Sequence, residues 1–133
     1  MIDVEAQVFT QAAGVLRAQF PGITVSGEYV NAPSAFPHVS LVEQDSYPVV
    51  DHLDGGERES RTVLMYEVNI YSDRTTGKKS QCRRILGVLD ELLWGMNFRR
   101  LAVTPVPNLE NATIYRLTAQ YRVETDGIHF YRR

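Results

Sequence analysis

The sequence predicts an α+β fold, with two helices on one face of a mainly antiparallel sheet of about five strands, in the order α-β-β-β-α-β-β. Three observations carry this expectation. Two segments repeat apolar residues at three- and four-residue steps, the spacing of one helical stripe, and two others alternate apolar with polar residues as a strand does. Each of these segments has a single apolar side. The economical packing therefore lays both helices on one sheet face and leaves the other uncovered.

The first helix is expected over residues 3–20, with Val4, Val8, Ala12, Val15, Leu16 and Phe20 on its stripe, Asp3 as N-cap and Pro21-Gly22 as terminator. Residues 23–30 are rich in β-branched side chains. A second short strand over residues 38–45 follows the breaker-rich NAPSAFP, and the two strands are expected to pair. Residues 46–60 combine Pro48, Gly55 and Gly56 with Asp51, Asp54, Glu57 and Glu59, which reads as a mobile acidic loop. Next comes RTVLMYEVNIYS, residues 61–72, the clearest central strand, with Leu64, Tyr66, Val68 and Ile70 on one face and Glu67 and Asn69 on the other.

Cys82, Ile85, Leu86, Leu89, Leu92, Leu93 and Met96 then form the second helical stripe, with Arg83, Arg84, Gly87, Asp90 and Glu91 on the solvated side. After Gly95 a strand over residues 99–106 carries Pro105 and precedes Pro107, which marks it as an edge or as ending there. The last strand, residues 113–124, alternates strictly from Thr113 to Glu124. The tail GIHFYRR, residues 127–133, reads as flexible, although Phe130 and Tyr131 beside arginines are also residue types that anchor interfaces.

At 133 residues, with 44% hydrophobic and 23% charged, the chain is expected to fold as a single domain, far from the composition of disorder. A net charge of -2 gives no overall pull toward nucleic acid or an anionic membrane, though a local basic patch remains open to it. The lone Cys82 excludes an intrachain disulfide and a cysteine-rich zinc site. No apolar run approaches the roughly 20 residues that span a bilayer, and the start MIDVEAQVF carries acids where a signal peptide carries bases. The expectation is a protein made and kept in a cytoplasm.

Reactive groups are sparse. His38, His52 and His129 show no metal-binding spacing, and the acids around His52, Asp51 and Asp54, lack the alternating oxygen ligands of a calcium loop. Cys82 lies on an apolar stripe, where a small buried hydrophobe is the better reading than a nucleophile. Gly55-Gly56 is followed by acids, unlike a phosphate loop. No catalytic residue, cofactor or metal is expected, and a small hydrolase is the remote alternative. Arg74, Lys78, Lys79, Arg83 and Arg84 concentrate positive charge where the second helix begins. Such a cluster is either a solvated face or a docking patch for an acidic surface such as the acidic loop of a neighbouring copy.

The stretch MYEVNIYSDRTTGKKSQCRRILGVLDELL, continuing through MNFRRLAVTPVPNLENATIYRLTAQYRVETDG, resembles the second half of the tail terminator (tail completion, minor tail) proteins of long-tailed, lambda-type bacteriophages. The likeness covers residues 61–127 and rests on YEVNIYS, the basic turn and helix, and YRLTAQY in the closing strand. What the resemblance implies is a homo-oligomeric ring, usually of six copies, capping the tail tube of a virion assembled in the host bacterial cytoplasm. Its partners would be the major tail tube protein and the head-connector or neck protein, with DNA passing through the lumen without sequence-specific binding and no membrane. A head-tail joining protein of the same size class is the alternative. On this reading the expected interface comprises the acidic loop (Asp51, Asp54, Glu57, Glu59), the basic cluster, Arg116 and Arg122 on the polar sheet face, and Phe130 and Tyr131 in the tail.

Overall fold

Val8, Ala12, Ala13 and Leu16 are buried along one side of the first helix, α1 (Glu5–Gln19), as the apolar stripe requires. The computed structural model describes residues 1–50, 59–107 and 111–132, with the backbone alone at 50, 59 and 60. Asp3 sits one residue outside the cap: Val4 is the N-cap, and the Asp3 carboxylate accepts the Glu5 N–H at 3.1 Å. Beyond Gly22, whose φ of 86° only glycine adopts freely, the chain forms β1 (Thr24–Ser26).

The sheet has the order β1-β2-β3-β5-β4, formed with β2 (His38–Val50), β3 (Glu59–Ser72), β4 (Arg99–Val106) and β5 (Tyr115–Thr125). Pairing is antiparallel throughout, except that β1 runs parallel to β2 over Thr24–Ser26. The expected α+β class and element order therefore hold. The second helix, α2 (Lys78–Gly95), buries Cys82, Ile85, Leu86, Leu89 and Leu93 and packs on α1 and on β3 and β5. It ends in a Schellman motif with Asn97, not glycine, in the left-handed region (φ 69°). The Asn97 N–H reaches Trp94 O at 2.9 Å and the Phe98 N–H reaches Leu93 O at 2.8 Å.

Two expectations need correction. Residues 46–50 and 59–60 are not loop, because β2 continues to Val50 and β3 begins at Glu59. A bulge between Glu43 and Asp45 shifts the register: Val39, Leu41 and Glu43 stand opposite the helix-facing Ile70, Val68 and Tyr66, whereas beyond it Ser46 stands opposite Leu64. The reversal of phase hides the strand from a period-two reading. Pro48 is tolerated because β1 pairs with β2 only as far as Ser40, so the outer edge at Pro48 needs no donor. Residues 51–58, with Asp51, His52, Asp54 and Glu57, lie outside the described residues.

The second correction concerns the C-terminus, which is not a loose tail as far as Arg132. A short strand, β6 (Phe130–Tyr131), pairs with Glu124 and Thr125 of β5. The turn between them is tied by Asp126, whose carboxylate accepts the N–H groups of Ile128 (2.8 Å) and His129 (2.6 Å). Those two backbone bonds hold the Asp126 carboxyl well below the ordinary aspartate range. Phe130 stacks on the buried Phe98, and its carbonyl takes the Asn97 side-chain N–H at 2.7 Å.

Replacing Phe130 with alanine should lower unfolding stability by about 2 kcal/mol, below the loss for a fully buried phenylalanine because this ring is half-buried. Urea unfolding reads this out; an unchanged midpoint would mean that the β6 contacts carry no stability.

Candidate functional site

The described residues bring no catalytic constellation together. Cys82 is fully buried, its Sγ 3.7 Å from Ile70 O, and burial pushes its thiol up to about 12, so it is a packing residue at neutral pH. His38 is buried at the start of β2, its Nδ1 2.6 Å from Thr24 Oγ1, and burial lowers its pKa. His129 is exposed beside Asp126. Among the described residues no three His, Cys, Asp or Glu side chains are grouped to hold a metal ion.

The helix-free sheet face is only partly open. Asn69, 1% exposed, lies at its centre. Its Oδ1 accepts from Arg116 Nε (2.9 Å), Arg116 Nη2 (2.8 Å) and Thr118 Oγ1 (2.8 Å), while Nδ2 donates to Glu67 Oε1 at 3.1 Å. The Arg116 guanidinium is flanked by the rings of Tyr29 and Tyr71, and the Tyr71 hydroxyl donates to Val30 O at 3.1 Å. The segment after β1 thus folds across this end of the face. Arg116, expected at an interface, is instead a member of an internal polar network.

The other expected interface residues divide in the same way. Arg74, Lys79, Arg83 and Arg84 are exposed, whereas the Lys78 amine donates to Thr113 O at 3.0 Å. Arg122 is half-buried, and Phe130 is packed into the fold. The Tyr131 ring lies under Arg61, 4.3 Å from guanidinium carbon to ring centroid, and its hydroxyl donates to Asp126. The side chain of Glu59 lies outside what is described. Asp90, expected in solvent, faces the sheet instead: it accepts the Tyr121 hydroxyl at 2.7 Å and pairs with Arg100 at 3.2 Å.

Two surface features were not anticipated. Along the α2–β4 flank a shallow groove is lined by Arg83, Gly87, Asp90, Arg100 and Val103, and it continues toward Trp94 and Arg99. Trp94 is 57% exposed with the Arg132 guanidinium 3.3 Å above its ring, and Leu101 is 44% exposed at the bulge between Arg100 and Ala102. An arginine pair followed by leucine in an edge strand was the available signal. On the opposite flank, an open groove of about 740 Å³ lies between the start of α1 and the end of β1, with Asp3, Glu5 and Glu28 on its walls beside Phe9. Nearby, Glu43 accepts from the Tyr66 hydroxyl at 3.3 Å, and its carboxyl is held above the usual range by burial, then by Glu5 and Asp3.

No family model matches the chain, and no curated protein matches it. Among solved structures, a chain of the "Virion of native gene transfer agent (GTA) particle" is similar over 90% of this chain and 91% of that one, with a TM-score of 0.65 and 17% identity. At that identity the likeness is one of fold.

Two outcomes follow from the buried polar groups. Asn69→Ala strips Arg116 of its main acceptor and should cost about 2–3 kcal/mol in urea unfolding; a loss below about 0.5 kcal/mol would contradict the network's structural role. Glu43 binds its proton more tightly in the folded chain than in the unfolded one. Its contribution to stability is therefore largest below the ordinary glutamate value of 4.5 and declines as pH rises through the raised folded value. Glu43→Gln keeps an acceptor for Tyr66 and should stabilise the protein at pH 7 more than at pH 4. An equal effect at both values would exclude this linkage.

Proposed function

We propose that this protein is a structural component of a phage-like virion, and specifically a tail terminator. In this role it forms a ring, of six copies on the resemblance, that caps the tail tube, ends its polymerisation and presents a surface for the head connector. The observation that carries the reading is the shared fold with a chain of a gene transfer agent virion, spanning nine-tenths of both chains. The YEVNIYS and YRLTAQY segments support the finer assignment: they form the C-terminal half of β3 and the stretch of β5 paired with it, so the resemblance falls on the framework of the sheet. The buried thiol and the separated histidines favour an assembly role over hydrolysis. A head-tail joining protein of the same size class is the second reading, favoured by the same virion likeness.

Passing DNA would meet the ring lumen without base recognition. The segment 51–58 is proposed to reach a neighbouring copy or the tube. Added to polymerising tube subunits, the purified protein should stop growth at one end and give a light-scattering mass of a closed oligomer. Tubes that grow unchecked, with the protein monomeric throughout, would sink the terminator reading; binding to connector and not to tube would favour the joining protein.

A further inference from the structure

The sheet order places β1 and β4 at opposite flanks, and the two flanks carry opposite charge. Beside β1 the groove at the start of α1 has Asp3, Glu5 and Glu28 on its walls, and no Lys or Arg among its described lining residues. Beside β4 the exposed side chains include Arg83 and Arg99, together with Arg100, which is paired with Asp90, and Leu101 and Trp94 lie between and beside them. β4 is an outer strand, paired with β5 alone among the described residues and exposed along most of its length. Arg99 stands directly opposite Arg122 across the ladder.

We propose that copies of this chain join head to tail, with the Arg99–Arg100 end of β4 and its Leu101 and Trp94 seated against the acid-lined α1–β1 groove of the next copy. The occupant is a second copy because each flank supplies what the other needs: an apolar centre with a basic rim on one, an acid-lined concavity that includes Phe9 on the other. A two-fold dimer through either flank would set like charge against like. Complementary patches on opposite flanks instead generate a directional contact that closes into a ring when the rotation per copy allows it. The inference deepens the ring reading given above and rests on it.

Charge exchange tests it. Arg99→Glu with Arg100→Glu makes both flanks acidic, and Glu5→Lys with Glu28→Lys makes both basic. Each variant alone should raise the protein concentration needed for half-assembly at least about tenfold, read by light scattering with circular dichroism as the check on folding. An equimolar mixture should recover assembly, alternating the two variants around an even-numbered ring. Should a double variant misfold, Arg99→Glu and Glu28→Lys, both at exposed side chains, provide the same comparison singly. Variants that assemble like the parent, or a mixture that stays apart, would overturn the contact while leaving the ring intact. A parent chain that is monomeric both alone and with tube subunits would overturn the ring reading itself.

Discussion

Everything in this fold depends on the register between β3 and β5, which pair without interruption from Thr62↔Thr125 to Ser72↔Tyr115. A slip of one residue would carry each side chain to the wrong face, and here both faces penalise the slip. Toward the helices, Leu64, Tyr66, Val68 and Ile70 stand opposite Val123, Tyr121, Ala119 and Leu117, all buried. On the far side Asn69 meets Thr118 directly and Arg116 diagonally, and one carbonyl oxygen gathers donors from both. An antiparallel pair with apolar complementarity on one side and a satisfied polar cluster on the other has little freedom to re-pair.

Tyrosines transmit this register to the rest of the chain. Tyr66, Tyr71 and Tyr121 are the largest fully buried side chains, and each brings a hydroxyl into a dry environment where it must find a partner. Tyr121 donates to Asp90 of α2, Tyr66 to Glu43 of β2, and Tyr71 to the backbone at Val30. Burial raises the pKa of all three phenols, so they remain neutral donors at any ordinary pH. The same rings that fill the core thus aim one helix, one strand and one connecting segment at the sheet.

The local patterns in the sequence reveal what depends on neighbours in the chain. The stripe from Cys82 to Leu93 and the alternation from Leu64 to Ile70 are local periodicities, and both helices and the central strand emerge from them. Beyond those patterns, distant partners decide. The end of β2 escapes because the bulge at residue 44 reverses the phase of alternation next to Pro48. β6 is too short for any periodicity and exists because Phe98, 32 positions earlier, offers its ring to Phe130. Asp90 looks solvated on a helical wheel, yet Tyr121 and Arg100 draw it to the sheet. Asn69 could not be distinguished from an ordinary polar strand residue without knowing that Arg116 lies beside it. The candidate surface shows the same limit, since counting charges cannot separate residues engaged internally from those left outward.

That separation bears directly on assembly. Arg116 is held by Asn69, Lys78 by a backbone carbonyl, and Arg61 by Glu124 and Tyr131, so these cations have little freedom to engage another molecule. On the β4 flank, by contrast, exposed Arg83 and Arg99 adjoin the exposed apolar side chains of Leu101 and Trp94. Ion pairs at such positions contribute only about 0–1 kcal/mol each, too little to hold a ring together by themselves. The larger part of any lateral affinity must come from removing Leu101, Trp94 and the groove around Phe9 from water, at roughly 25 cal/mol per Å² of apolar surface. The charges then act chiefly on specificity. They exclude the pairings in which two identical flanks meet, and so convert a generally sticky edge into one with a direction.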